Sequence, residues 1–321
     1  MSKPIVVLTR RWPQAVETEL ASRYDLRSNV NDTPMTTAQF RDALMSADVV
    51  CPTVTDAFGA EVFVDLQPKA QLLANFGVGY NHIDVAAAQA LGLAITNTPG
   101  VLTDATAEIA MTLLLSVARR TGQGERVLRA NQWQGWRPTD FLTTQVTGKT
   151  LGIIGMGRIG QALARQAHHG FNMPILYCNR SPLPAATEAA LGAERCSLEE
   201  LLGSADFVSL NCPSTPETRH LMNAGSLAQM QPHAFLINTA RGDVINETDL
   251  VDALQQGIIA GAGLDVYVGE PVVPEPLKQM QQVVLLPHMG SGTTETREAM
   301  GRCAVANIDA WARGEALPNQ V

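Results

Sequence analysis

The sequence predicts an α/β chain of two domains, each built on a parallel sheet. Three observations carry this. Short apolar runs alternate with helix-patterned stretches along nearly the whole chain. A strand, a glycine turn, a helix and a second strand follow one another between Thr150 and Arg180. At 321 residues the chain is too long for one ordinary core and fits two.

The central stretch is the most informative. Leu151-Gly152-Ile153-Ile154 reads as a strand and Gly155-Met156-Gly157-Arg158-Ile159-Gly160 as a turn. Ile159 to His169 reads as a helix closed by Gly170, and Ile175 to Cys178 as the next strand. Gly155 allows the tight turn, Gly157 lets the backbone approach a pyrophosphate, and Gly160 lets helix and strand pack closely. The helix start offers unpaired N–H groups and a positive dipole end to phosphates. A lone G-x-G-x-x-G is weak, but here it follows a strand and opens a helix, as a dinucleotide site requires. The rival is a plain glycine-rich turn. An NAD site usually has Asp or Glu at the end of the second strand. This chain has Asn179-Arg180-Ser181 there. No carboxylate repels a ribose 2′-phosphate, and a guanidinium is available to grip it. NADPH is therefore the expected cofactor and NADH the alternative, with Arg180 as a merely solvated arginine in that case.

Bulk properties narrow the class. Hydrophobic residues make up 45% and charged residues 17%, a soluble globular composition. A net charge of −8 gives no basic face for nucleic acid and no polybasic membrane patch. No apolar run reaches the roughly twenty residues of a membrane span. The start of the chain reads as a strand, not a signal peptide. The five cysteines show no C-x-x-C spacing, which suits reduced thiols in a cytoplasmic protein and no zinc site.

Before the glycine turn, Pro4–Thr9, Ala47–Cys51, Leu72–Phe76 and Leu93–Asn97 read as strands. Helices are expected from Pro13 through Tyr24, over Thr37–Ser46, and from an Asp84 cap to Ala90, stopped by Gly92. Asp104 is expected to cap a longer helix whose buried stripe is Ile109, Leu113, Leu114 and Val117. Arg129 to Thr147, with Trp133 and Trp136, lacks a regular period and reads as a homodimer contact or a self-packed loop. After Arg180, strands are expected at Asp206–Leu210, Ala234–Asn238, Gly261–Asp265 and Val283–Leu286, with a helix at Glu247–Gln255. A final helix, Thr293–Arg313, is expected to pack back on the first domain.

Three polar residues follow the late strands: Arg241, Glu270 and His288. Ligands of such sheets sit at the carboxyl ends of strands. Together the three suit reduction of a 2-keto acid. Arg241 holds carbonyl and carboxylate by paired hydrogen bonds. His288 gives a proton to the carbonyl oxygen as hydride arrives. Glu270 bonds the other ring nitrogen, fixing the tautomer and favouring imidazolium. Singly each reads as a cap, a surface charge or a satisfied histidine. His82, His168, His169, His220 and His233 read as structural, and no set has metal spacing.

With these residues in view, the chain resembles the D-2-hydroxyacid dehydrogenase family, in its glyoxylate/hydroxypyruvate reductase and D-glycerate dehydrogenase branch. The resemblance rests on Asn75-Phe76-Gly77-Val78-Gly79-Tyr80-Asn81-His82-Ile83-Asp84, the glycine turn, Asn238-Thr239-Ala240-Arg241-Gly242, Gly263 to Val266, Gly269-Glu270-Pro271 and Pro287-His288-Met289-Gly290-Ser291. It implies a Rossmann-type doubly wound sheet at 101–288. It also implies a smaller flavodoxin-like α/β substrate domain at 1–100, completed by 289–321, with the active site in the cleft. Arg241, Glu270 and His288 match the family's catalytic trio. The N–H groups of Gly77, Val78 and Gly79 match its substrate-carboxylate contacts. Asp265 matches the residue orienting the nicotinamide amide. Thr106, Arg158 and Ile159 match phosphate contacts, and Cys212-Pro213 the wall beside the adenosine. Thr239, Ala240, Gly290 and His288 complete the expected cofactor surface. The implied activity is hydride transfer from NADPH to glyoxylate or hydroxypyruvate, giving glycolate or D-glycerate, in a homodimer. NAD-using members carry Asp near Asn179-Arg180. The rivals are another dehydrogenase of this fold and a dinucleotide-sensing binding protein. Formate dehydrogenases carry Gln where Glu270 stands.

Overall fold

The computed structural model describes residues 3–321. The chain divides into two compact units, one running to Leu102 and completed by Ser291–Val321, the other Thr103–Gly290.

The first unit contains β1 (Ile5–Leu8), α1 (Gln14–Arg23), β2 (Asp25–Ser28), α2 (Thr37–Ser46), β3 (Val49–Cys51), α3 (Ala60–Phe63), β4 (Leu72–Ala74), α4 (Val85–Ala90) and β5 (Ala94–Thr96). Its strands form one parallel sheet in the order β2-β1-β3-β4-β5, the flavodoxin-like order. β3 and β4 are buried throughout, as strands covered by helices on both faces must be. β2 is the edge, and its Asp25-Leu26-Arg27-Ser28 has no apolar run to betray it. Local chemistry sets the helix starts. Thr36 and Gln39 form a reciprocal capping box at α2, and the Asp84 carboxylate accepts from Ala87 N at 3.0 Å at α4.

The second unit opens with α5 (Thr103–Arg119) and α6 (Thr121–Arg129). It continues through β6 (Leu151–Ile154), α7 (Arg158–Phe171), β7 (Ile175–Cys178), α8 (Ala185–Leu191), β8 (Ala193–Arg195), α9 (Leu198–Ser204) and β9 (Phe207–Leu210). Then come α10 (Ala224–Leu227), β10 (Phe235–Asn238), α11 (Glu247–Gln255), β11 (Gly261–Leu264), α12 (Glu275–Gln279) and β12 (Val283–Leu285). The sheet order is β12-β11-β10-β9-β6-β7-β8, parallel at every pairing. This is the doubly wound Rossmann order, extended by one strand. β6, β9, β10 and β11 are buried along their whole length. The order reverses between β6 and β9, so the crevice of this sheet opens where Ile154 pairs with Leu210. The last helix, α13 (Thr294–Ala312), is capped by Thr293. It belongs to the first unit, where Met300, Ala304, Val305 and Ile308 join Val6, Leu8, Val16 and Leu72 in one core.

Three local expectations are corrected. Asp104 is not a cap: α5 starts at Thr103, and the Asp104 carboxylate pairs with Arg165 at 2.9 Å. Gly170 does not end its helix. α7 runs on to Phe171 and closes at Asn172, whose φ of +50° is left-handed. Packing of the helix on β6 outweighs the roughly 1 kcal/mol that an interior glycine costs. Residues 121–129, read as part of no element, form α6.

Candidate active site

The glycine turn has the tightness and close packing that its spacing implies. Gly155 has φ +95°, and a Cβ there would stand 2.5 Å from the Cys212 backbone nitrogen. A Cβ on Gly160 would stand 2.5 Å from the Gly155 carbonyl oxygen, so the helix can come this close to β6 only with glycine. No atom lies within 4 Å of the corresponding point on Gly157. The backbone is therefore bare where Arg158 and Ile159 begin α7 and expose its first N–H groups. Cys212, buried at the end of β9, backs this turn, and Pro213 follows it with its carbonyl accepting from the Thr218 hydroxyl at 2.6 Å. Burial pushes the Cys212 thiol up to about 11, which keeps it protonated and a poor nucleophile at neutral pH.

Two buried oxygens facing no protein donor or hydrogen-bond acceptor lie at neighbouring strand ends, Asn211 Oδ1 after β9 and Thr239 Oγ1 after β10. Buried polar atoms are normally satisfied. A dinucleotide bearing amide and hydroxyl groups fits such a surface, and the bare Gly157 fits its pyrophosphate. At the end of β7, Asn179 Nδ2 donates to Ser181 O at 3.1 Å, and Arg180 is exposed. The sequence reading missed a neighbour here. Arg195 on β8 donates from Nη2 to both Asn179 O and Arg180 O, each at 3.1 Å.

The three candidate catalytic residues come from three adjacent strands. After β10, the buried Asn238 clamps its own turn. Its Oδ1 accepts from Ala240 N and its Nδ2 donates to Arg241 O, both at 2.9 Å. Gly242 then passes so near the chain after β11 that any Cβ would overlap the Tyr267 carbonyl carbon. That close approach brings Arg241 beside the Glu270 segment. Arg241 Nη1 donates to Ala240 O at 2.7 Å. Burial draws its guanidinium below the ordinary value, against the charges of Glu270 and Asp243.

Glu270 accepts from Tyr267 N at 3.0 Å on Oε1 and meets His288 Nδ1 at 2.7 Å with Oε2. Burial pushes its carboxyl up. The His288 contact, the Tyr267 N–H and the Arg241 charge outweigh this and leave it below the usual carboxylate range. The Tyr267 hydroxyl ties the ends of β11 and β12 together by donating towards Leu264 O and Leu286 O, at 3.1 and 2.9 Å. Glu247, at the start of α11, accepts from Val268 N at 2.8 Å and braces the same segment.

His288 follows β12 in a left-handed conformation, φ +53°, which few non-glycine residues adopt. Asp265 holds it there. The Asp265 backbone oxygen accepts from His288 N at 2.9 Å. Its carboxylate accepts from Met289 N at 2.6 Å and Gly290 N at 2.8 Å. Burial pushes the Asp265 carboxyl up, against the pull of those N–H groups and of His288. Thr106 donates to Gly290 O at 3.0 Å, so the structure places it with Asp265 and Gly290.

In the first unit, the Gly77-Val78-Gly79 loop follows β4. Its carbonyls are all turned inward. Asn75 Nδ2 donates to Gly77 O and Gly79 O at 3.0 Å, Asn97 Nδ2 to Val78 O at 2.9 Å, and Thr98 N to Gly77 O at 3.0 Å. Among the described residues no hydrogen bond leaves the N–H groups of these three residues. Three free N–H groups on a loop with satisfied carbonyls make a backbone anion site. His82 Nε2 lies 3.1 Å from Asn75 Oδ1, so it braces the loop, consistent with a structural role. Among the described residues there is no metal cluster, and no helix is long and apolar enough to cross a membrane.

Residues 111–290 match the model of the D-isomer specific 2-hydroxyacid dehydrogenase NAD binding domain. The chain is 42% identical to the glyoxylate reductase of Thermococcus litoralis, over 99% of this chain and 97% of that one. It is 40% identical to glyoxylate/hydroxypyruvate reductase B of Yersinia pestis, over 95% and 93% of the two chains. The crystal structure of an NADPH-dependent glyoxylate/hydroxypyruvate reductase from Sinorhizobium meliloti, in complex with NADP and malonate, superimposes with a TM-score of 0.88. It is 33% identical and covers 100% of this chain and 97% of that one. With its doubly wound sheet, its glycine turn and the Arg241, Glu270 and His288 strand ends, the chain belongs to the D-isomer specific 2-hydroxyacid dehydrogenase family.

Proposed function

We propose that the protein is an oxidoreductase that reduces a small 2-keto acid, glyoxylate or hydroxypyruvate, with NADPH. The observation that carries this is the 2.7 Å pair of His288 Nδ1 and Glu270 Oε2 beside a half-buried Arg241. The bound nicotinamide cofactor supplies a hydride to the keto carbon. Glu270 holds the proton on Nδ1, which leaves Nε2 as the nitrogen that donates to the carbonyl oxygen. Arg241 presents its fork to the oxygens of the keto acid and orients the carbonyl for attack. The Gly77, Val78 and Gly79 N–H groups are assigned the substrate carboxylate. The Gly155 to Gly160 turn is assigned the pyrophosphate. Asp265 and Thr239 are assigned the nicotinamide end.

NADPH is favoured by charge. Arg180 stands at the end of β7, where a carboxylate would repel a 2′-phosphate. The relatives' names support glyoxylate and hydroxypyruvate as substrates. The exposed Trp133, Trp136 and Leu142 between α6 and β6 support a homodimer. The test is a set of initial rates with glyoxylate and hydroxypyruvate, with NADPH and NADH in parallel. Turnover with an NADPH excess is expected. Turnover favouring NADH would keep the reductase and refute the cofactor reading. No turnover with any small keto acid would refute the activity and leave dinucleotide sensing.

A further inference from the structure

The edge strand β8 carries a cation that the reduction chemistry does not use. Arg195 pairs in register with Tyr177, one residue before the end of β7. From there its guanidinium reaches over the strand end, and one nitrogen, Nη2, donates to the carbonyls of both Asn179 and Arg180. A guanidinium has five N–H donors in a rigid plane. Two are engaged by the backbone, and among the described residues Nε and Nη1 of Arg195 make no hydrogen bond. Arg195 is exposed, so these donors are open to a ligand.

Arg180 does not stand there unopposed. Glu217, on the loop after β9, accepts from the Thr215 hydroxyl at 2.7 Å. That bond, the Glu217 backbone and the Arg180 charge hold its carboxyl below the ordinary value. A carboxylate that feels Arg180 offsets part of the attraction Arg180 offers to an anion. A further positive charge at this strand end would strengthen the hold on a dianionic ligand.

We infer that Arg195 is a specificity-determining residue for the cofactor: its guanidinium fixes the Asn179-Arg180 turn and, with Arg180, forms a two-cation platform for a ribose 2′-phosphate. The inference rests on the NADPH reading above and names a residue on the neighbouring strand as half of that site.

Titration calorimetry with NADPH and with NADH on wild type, Arg195→Met and Arg195→Lys tests it without turnover. One charged hydrogen-bond partner lost corresponds to roughly tenfold or more in affinity. Arg195→Met is expected to weaken NADPH by about that factor and NADH by less than about twofold. Arg195→Lys, which keeps the charge but not the fork, should fall between. Equal weakening of both cofactors would show a backbone clamp only and overturn the platform. A wild-type NADPH preference that survives Arg195→Met would overturn the inference while sparing the cofactor reading. A wild type that binds NADH at least as tightly as NADPH would overturn both. Because Arg195 is exposed on an edge strand, the variants should fold, and unchanged circular dichroism would show it.

Discussion

Replacing Glu270 with Gln removes one charge and leaves the shape of the His288 contact nearly intact. In the native protein Glu270 Oε2 and His288 Nδ1 are 2.7 Å apart, with side chains 25% and 31% exposed. A hydrogen bond to a charged group contributes about 1.5–3 kcal/mol. The partial exposure and the acceptor that Gln retains both argue for the low end, about 1.5 kcal/mol. Each 1.4 kcal/mol is a factor of about ten in rate, so the effect is about tenfold. The sign follows from the chemistry: the carboxylate charge supports the ring that gives up its proton as hydride arrives, and a neutral amide supports it less. The assay is kcat for glyoxylate reduction at saturating NADPH, with cofactor affinity read by calorimetry. Glu270→Gln is expected to lower kcat about tenfold and leave NADPH affinity unchanged. An unchanged kcat, or a fall in kcat that only follows lost cofactor affinity, would refute the role given to Glu270.

The same pair bears on stability. Because the Glu270 carboxyl is held below its ordinary value, its contribution is fully present above the unfolded value of about 4.5 and is lost as pH falls through the lowered one. Acid unfolding followed by tryptophan fluorescence should therefore begin at higher pH in Glu270→Gln. His288→Ala should lower kcat by roughly 10²–10⁴ while NADPH affinity, read by calorimetry, stays unchanged; lost binding would instead make the histidine structural. Asn75→Ala removes the amide donor shared by the Gly77 and Gly79 carbonyls, leaving Gly77 O with Thr98 N and Gly79 O without its donor, at about 1–3 kcal/mol. It should raise KM for the keto acid about tenfold with cofactor affinity intact, and an unmoved KM would show that the loop does not bind substrate. Arg180→Asp should reverse the calorimetric preference towards NADH, and an unaltered ratio would place the 2′-phosphate elsewhere.

Legibility in the sequence tracked burial. β6, β9, β10 and β11 are covered on both faces and so appear as mainly apolar runs, interrupted only by Ser209 in β9 and ended by Asn238 in β10. β2 and β8 are edges held mainly by backbone pairing, and Asp25-Leu26-Arg27-Ser28 and Ala193-Glu194-Arg195 carry no such run. α6, with Gly122 and Gly124, has poor helix propensity and no buried residue. The candidates Arg241, Glu270 and His288 stood out because each comes shortly after a readable strand, β10, β11 or β12. Arg195 and Asn97 did not, because their roles depend on which strands or loops lie side by side. A polar residue in an otherwise apolar strand was the signal for the clamps. Asn75 and Asn238 both fit it, and each spends its amide on the turn that follows.

The loop at Gly77-Val78-Gly79 offers an anion amide hydrogens alone, and amide hydrogens do not titrate between about pH 5 and 10. A carboxylate bound there is held by the same field at either extreme, in a protein of net charge −8 that would otherwise repel it more as pH rises. In the proposed reaction, holding the substrate and delivering the proton then fall to separate machinery, and the first of these is indifferent to proton concentration.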